Sequence, residues 1–556
     1  MQPDNPDAPC YRGPLLPRLG TRRRRRAHAP CHLRTEPPES SAATRRGLMP
    51  KPIVVILDAF TVEPSGLGVP PYLSTYVRAA WSALTTAQPE ADVRYLTIDD
   101  VRWCLAGGKP AVDPPLSDPL TYSATTNRTQ AVDLLHRADR VVVIAGDKVP
   151  SVHLHAVNGS LEEIARAMAC VRGQRILLGP LSTYALESPA EYAGLFDAVH
   201  THTLTADGLA GGSRTPAAYG MLRKERRDFG GLVAQMLWRP IAELELYRGC
   251  TRRRFCNFCS EPSKSPLVVF RDVSDVIEEA GQLYDAGVRN FRLGQQTCFF
   301  SYQHRSEDAI HTLLAGIRDR CPDLEVLHID NADPLAVAAP VGLRIAKLVA
   351  EFCTEGNCAP MGIESFDQVV IERNTLTCTP EILRRAVEHI NDAGAERGPG
   401  GLPKLLPGLN LIYGLPGETH ATHIANLTHL TNILEAGLLC HRTNVRQVRA
   451  FPGTPLAEEG LPGPLPSVEH FASWKADIDH GWDQPMKERV YPHGLEVPGL
   501  HSYFVSDRGT WFRRLGSYSI QIVERGAAVP VATDAALRVT GHAPRLIYGE
   551  RLAPAA

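Results

Sequence analysis

The sequence predicts an α/β protein: a doubly wound Rossmann-like domain, then a partial (β/α)6 TIM-type barrel, then a small β-barrel-like appendage. Three observations predict it. Short apolar strands alternate with amphipathic helices from Lys51 onward, the pattern of parallel sheets. From Glu243 the alternation repeats every roughly 35–45 residues, the length of one β/α unit. Over the last roughly 55 residues it gives way to short strands and turns. At 556 residues the chain has room for about two to four domains.

Taken in order, residues 1–48 are rich in Arg, Pro and Ser, with consecutive arginines at Arg22–Arg26. They carry no helical or strand period and are expected to form a disordered basic tail, with Met49 as the true start. Residues 49–235 are assigned to the Rossmann-like domain, with strands expected at Ile53–Leu57, Val93–Ile98, Val141–Ile144 and Arg175–Leu178. A helix with Leu73, Tyr76, Val77 and Ala80 on one face follows the first strand. Such sheets bind ligands beyond the carboxyl ends of their strands, so the turn Asp58–Tyr72 is the candidate ligand edge.

Residues 236–460 are assigned to the barrel. Its strands are expected at Leu244–Tyr247, Asn290–Leu293, Glu325–Ile329, Ala359–Ile363, Gly408–Ile412 and Asn444–Val448. The first helix would be capped by Ser274, bury Val276, Ile277, Ala280, Leu283 and Tyr284, and end at Gly287. Residues 461–496 form a helical extension. Residues 497–556 form the small β domain, with strands expected at Tyr518–Val523, Val529–Ala532, Ala536–Thr540 and Leu546–Tyr548.

Composition excludes several classes. Hydrophobic residues make up 44% and charged residues 22%, with a formal net charge of -2: a globular chain with no overall pull towards nucleic acid or membrane. No stretch approaches the roughly 20 apolar residues of a membrane helix, and a cytoplasmic location is expected. The 13 cysteines are too sparse in so long a chain for a disulfide framework.

Three cysteines stand apart. Cys250, Cys256 and Cys259 lie in ELELYRGCTRRRFCNFCS, spaced Cys-x5-Cys-x2-Cys just after a strand. Three close thiolates suit a 4Fe–4S cluster with one iron left open for a small chelating ligand, and Phe258 places an aromatic ring beside it. The alternative is a non-catalytic zinc or iron–sulfur binding module. Zinc would take a fourth ligand, for which His304 and His328 are available far along the chain.

The cysteines and three later segments together resemble the radical S-adenosylmethionine (radical SAM) superfamily. Most of its members space the cysteines Cys-x3-Cys-x2-Cys, so the first gap here is longer. Arg292-Leu293-Gly294-Gln295-Gln296 stands where the superfamily usually has Gly-Gly-Glu for the methionine amino group. Met361-Gly362-Ile363-Glu364-Ser365 is similar to the Gly-x-Glu-Ser segment of cobalamin-type and methylthiotransferase-type members. Gly408 to Thr419, GLNLIYGLPGET, resembles the strand and turn that wall the adenosyl group. The resemblance extends over roughly residues 50–550 and is strongest to a subgroup of iron–sulfur oxidoreductases with the longer gap.

The resemblance implies a 4Fe–4S cluster on Cys250, Cys256 and Cys259, with S-adenosylmethionine on the open iron. It implies cofactor contacts from Phe258, Gly294, Gln295, Glu364, Ser365, Gly414, Pro416 and Glu418. It implies an enzyme that cleaves S-adenosylmethionine to a 5′-deoxyadenosyl radical and modifies, by methylation or otherwise, an RNA or a small metabolite. A reductant such as flavodoxin or ferredoxin would be its partner. The N-terminal domain resembles a cobalamin-binding-like domain without the Asp-x-His-x-x-Gly stretch, which makes cobalamin a candidate cofactor. With only Cys104 and Cys170 in its folded part, this domain departs from the second-cluster domain of methylthiotransferases. The C-terminal TWFRRLGSYSIQIV stretch resembles a TRAM-type β-barrel, in which Arg513, Arg514 and Arg525 would meet phosphates; a barrel that only caps the core is the other reading.

Further residues carry two readings each. Arg252, Arg253 and Arg254 meet an anionic substrate or a donor protein, or lie on a solvated loop. His328, Asp330, Asn331 and Asp333 line the barrel mouth or cap a turn. Arg446 and Gln447 face the cavity. Cys298 is a thiyl participant or a packed cysteine, and Cys353 and Cys358 are too few for a second cluster.

Overall fold

The computed structural model describes residues 51–61, 71–108, 123–146, 157–182, 194–200, 228–460, 463, 465–516, 520–526 and 528–553. The expected basic tail, most of the Asp58–Tyr72 turn, and Tyr518 and Ser519 of an expected strand lie outside them.

The first sheet is parallel throughout. Its strand order runs Asp92–Thr97, Ile53–Asp58, Arg140–Ile144, Gln174–Leu178, Ala198–Val199. The central strands Ile53–Asp58 and Arg140–Ile144 are buried on both faces, which is why their apolar runs read as unbroken rather than alternating. In this order the direction of winding reverses beside Ile53–Asp58, and ligands bind at such a reversal.

Tyr72–Leu73 departs from the expected helix. It leaves the first domain and adds a short parallel strand beside Ile241–Ala242 of the barrel. The helix begins only at Thr75 and runs to Ala87, with the Ser74 hydroxyl accepting from Val77 N–H. From that helix the buried Arg78 donates to Leu73 O (2.7 Å), to Glu243 O and to Glu279 Oε1 (3.0 Å). The N-terminal domain is thereby fastened to the barrel by buried polar contacts.

The barrel strands are Ile241–Glu245, Asn290–Gly294, Val326–Ile329, Asn357–Glu364, Leu405–Tyr413 and Thr443–Gln447. They pair in parallel and in chain order, with the Ala332–Met361 bridge joining the third to the fourth. The first starts three residues earlier than expected, because Glu243 and Glu245 are buried within it. Glu243 is offset by Arg292 of the second strand, which also bonds Asp330 beyond the third at 2.5 Å. A buried charge is tolerated only with such a partner, and this one lies 49 residues away. The first barrel helix, Val273–Asp285, is preceded by Asp272 rather than Ser274; Gly287, at φ +99°, takes the left-handed turn beyond its end as expected.

The helical extension is Pro466–Ile478, a π-helical turn Asp479–Asp483, and Gln484–Val490. The last region is a closed barrel of Glu496–Ser506, Gly509–Arg514, Gln521–Glu524, Leu546–Arg551 and Asp534–Ala543, in that neighbour order. The expected strand Val529–Ala532 is instead a turn with Ala532 at φ +71°. Two strands, Glu496–Ser506 and Gly509–Arg514, were not expected.

This small barrel plugs the end of the large one where the strands begin. Leu515 clusters with Tyr72, Ile241 and Val326, and Tyr72 donates to Gly516 O at 3.0 Å. Arg514 pairs with Glu355, just ahead of the fourth strand, at 2.8 Å. Among the described residues, no helix is long and apolar enough to cross a membrane.

Candidate active site

Where the barrel strands end, one loop gathers the others. The cysteine loop follows the first strand and is tied to four neighbours. Thr297, after the second strand, donates to Gly249 O (3.2 Å). Asp333, after the third, accepts two bonds from Arg252 (2.8 and 3.1 Å). Asn374, after the fourth, accepts from Asn257 N–H (3.2 Å), and Leu456, after the sixth, donates to Asn257 O (3.0 Å). Cys250, Cys256 and Cys259 therefore sit at the convergence of the strand ends, where a barrel places its chemistry.

None of the three cysteines is in a disulfide; Cys256 is buried and the other two are half-buried. Burial pushes the Cys256 thiol up to about 12, although Arg252 beside it pulls the other way; burial also raises Cys250. Among the described residues, no three His, Cys, Asp or Glu side chains converge on a single-ion site. His328 is held at the opposite end, its Nε2 3.2 Å from Glu355 O and its ring against Gly516. That corrects its expected place at the mouth.

Gln295 leaves the second strand at φ +67° and Glu364 ends the fourth at φ +63°, a backbone region that costs a side-chain-bearing residue of order 1–3 kcal/mol. Gln295 accepts at Oε1 from the Thr75 hydroxyl of the N-terminal domain. Glu364 Oε2 is sealed from solvent with no hydrogen-bond partner. Burial lifts its carboxyl to about 7, against the pull of Arg252 and Arg446. At Gly294 and Gly362 an added Cβ would come within 2.9 Å of Glu243 Oε1 and 2.1 Å of Glu364 Oε1, so both glycines leave room for carboxylates.

Other expected contacts are placed differently. Glu418 accepts from Gly414 N–H (2.6 Å) and Ser467 N–H (2.9 Å), so its carboxylate closes the turn after the fifth strand. Gly414 and Gly417, at φ +88° and +95°, make that turn possible. Pro416 O accepts from Asn374 (2.8 Å), and buried Ser365 accepts at Oγ from Asp367 N–H (3.1 Å). Phe258 is half-buried in the cysteine loop. Arg252 turns inward, while Arg253 and Arg254 stay exposed, as do Arg446 and Gln447. Asp330 lies in the barrel interior with Arg292, and Asn331 O holds Phe299 N–H.

Cys298 is packed, its thiol pushed to about 11 by burial, and its Sγ accepts from Asp333 N–H. Cys353 and Cys358 are buried at the other end, before and at the start of the fourth strand. Arg514 is paired with Glu355 and Arg513 is buried, which corrects their expected role as outward phosphate contacts; Arg525 stays exposed and lies over the Tyr548 ring. Sequence reasoning missed Thr75 and Asn374, whose partners are 220 residues away in one case and backbone atoms in the other.

A model of the Radical SAM superfamily matches residues 244–427. An uncharacterized protein of Methanocaldococcus jannaschii is 32% identical over 530 residues, 89% of this chain and 92% of that one. Ribosomal protein uS12 methylthiotransferase RimO of Frankia alni is 31% identical over 304 residues, 53% of this chain and 47% of the relative. Among solved structures, the cobalamin-dependent S-adenosylmethionine radical enzyme OxsB superimposes at 12% identity and a TM-score of 0.48, over 81% of this chain and 59% of that one.

Proposed function

The chain belongs to the radical SAM superfamily, and from that premise we propose that Cys250, Cys256 and Cys259 hold a 4Fe–4S cluster in an enzyme that modifies a small molecule. The observation that carries the proposal is the pinning of the cysteine loop by the loops after the second, third, fourth and sixth strands. The residues present fit the group. The donors are three soft thiols, the kind iron–sulfur clusters take, and Glu364 brings a sealed, unbonded carboxylate oxygen to the same mouth. When bound, the cluster and S-adenosylmethionine supply reductive cleavage of the sulfonium to a 5′-deoxyadenosyl radical.

The chain's own residues orient and exclude water. Gln295, fixed by Thr75, presents its amide at the end of the second strand. Glu364 accepts a donor from the ligand, and the Gly414–Gly417 turn, closed by Glu418, forms a wall beside it. A small molecule is favoured over RNA because the terminal barrel lies at the far end, with Arg513 buried and Arg514 paired with Glu355. We also assign the parallel N-terminal sheet to a corrinoid, at its winding reversal beside Asp58, with methylation as the reaction. The domains are divided at residues 49–235, 236–460, 461–496 and 497–556. Anaerobic reconstitution tests the reading: about four irons per chain and 5′-deoxyadenosine on reduction support it, and bound zinc without cleavage refutes it. Corrinoid content of protein made with cobalamin supplied tests the second cofactor.

A further inference from the structure

Of the five residues between Cys250 and Cys256, Thr251, Arg253, Arg254 and Phe255 are exposed and Arg252 alone turns inward. Its guanidinium forks onto Asp333, Nε to Oδ2 at 3.1 Å and Nη2 to Oδ1 at 2.8 Å. The remaining Nη1 donates to Cys256 Sγ at 3.4 Å. Asp333 is itself fixed from behind. Its N–H donates to Cys298 Sγ (3.1 Å), its Oδ1 accepts from Leu335 N–H (3.1 Å), and it is 5% exposed. The sulfur of Cys256 therefore meets a donor whose direction is set by a rigid carboxylate two loops away. A lysine could not make the same planar fork and third bond together.

We propose that Arg252 is a positioning residue: clamped by Asp333, it fixes the Cys256 sulfur and stabilises the reduced state of the cluster bound there, and the longer cysteine gap serves to place it. This rests on the cluster reading above. Hydrogen bonds to ligand sulfurs and local charge are among the levers that set a cluster's potential. The reduced cluster carries one more negative charge than the oxidised one, so an N–H aimed at its sulfur favours reduction. Asp333 offsets the guanidinium's charge, which leaves the directed N–H as the main contribution. The two partners therefore have opposite signs. Loss of Arg252 lowers the potential, whereas neutralising Asp333, with the amide oxygen still able to accept from Arg252, leaves the cation uncompensated and raises it.

The test is an EPR-monitored redox titration of reconstituted protein without S-adenosylmethionine or substrate, alongside iron content. In Arg252→Gln the ratio of oxidised to reduced cluster at fixed potential should rise about tenfold, a shift of about 59 mV for one electron, with iron retained. In Asp333→Asn the midpoint should move the other way. An unchanged midpoint in Arg252→Gln, or a shift of both variants in the same direction, overturns the proposal in favour of a loop-folding role. If Arg252→Gln takes up no iron, Arg252→Lys decides: iron retained with a midpoint below that of the wild type supports positioning by the fork, and continued loss of iron or a wild-type midpoint overturns it. Wild-type protein that takes up no iron sinks the cluster reading itself, before any variant is compared.

Discussion

Gln295 and Glu364 leave their strands at φ +67° and +63°, and Glu364 keeps a sealed oxygen without a bond. At the opposite end of the same barrel, Leu515 fills the space among Tyr72, Ile241 and Val326, and Arg514 is paired with Glu355. One end stores backbone strain at two strand ends; the other is closed by packing and the Arg514–Glu355 pair, although Arg513 beside it keeps two buried nitrogens without a hydrogen bond. Strain persists where the surrounding structure enforces it, commonly at functional sites. We propose that the strained end carries the chemistry and the packed end the stability, a division that substitutions on either side can break.

The largest effect is expected at the mouth. Cys256→Ala should lose both iron and S-adenosylmethionine cleavage while the protein stays folded, checked by iron analysis and circular dichroism. At the plugged end, Leu515→Ala should cost about 2–5 kcal/mol of stability in a denaturant titration, with iron content per folded chain unchanged. Glu364→Gln should invert that pattern. Cleavage should fall by about tenfold to a hundredfold, the worth of a bond to a charged group, while the melting temperature at neutral pH stays level or rises because a charge with one sealed, unbonded oxygen is gone.

A pH profile sharpens the comparison further. His441, ahead of the sixth strand, is held neutral by burial, its pKa brought down to about 3 from an ordinary 6.5. As pH falls below 6.5 the unfolded chain takes up a proton that the folded chain refuses. The stability His441 contributes above that pH is lost progressively towards pH 3. His441→Gln should flatten this part of the melting-temperature profile between pH 6 and 4 (about the range of the shift); an unaltered slope would remove His441 from the account. The smallest effect is at Arg525, which lies over Tyr548: Arg525→Ala should change stability by about 0.5 kcal/mol or less and leave cleavage untouched.

The two ends were not equally legible. The mouth announced itself because strand ends there carry Gly and polar residues together, as in Gly294-Gln295 and Gly362-Ile363-Glu364. The six strands and their order followed from apolar runs alone. The first strand was misplaced because its two buried glutamates look like surface residues until Arg292 and Arg248 are seen beside them. A small terminal barrel that caps the core is legible in the sequence, but the contacts by which it plugs the large one are not. Tyr72–Leu73 is too short to show a period, and Arg514 reads as a free cation because Glu355 lies 159 residues away. Contacts made at such range leave no local pattern in the chain.

The central claim is that the cysteine end holds a cluster and cleaves S-adenosylmethionine. Metal analysis of anaerobically reconstituted wild-type protein, followed by reduction in the presence of S-adenosylmethionine, tests it most directly. The account predicts about four irons per chain and 5′-deoxyadenosine as product. Zinc in place of iron, with S-adenosylmethionine left intact, would contradict it.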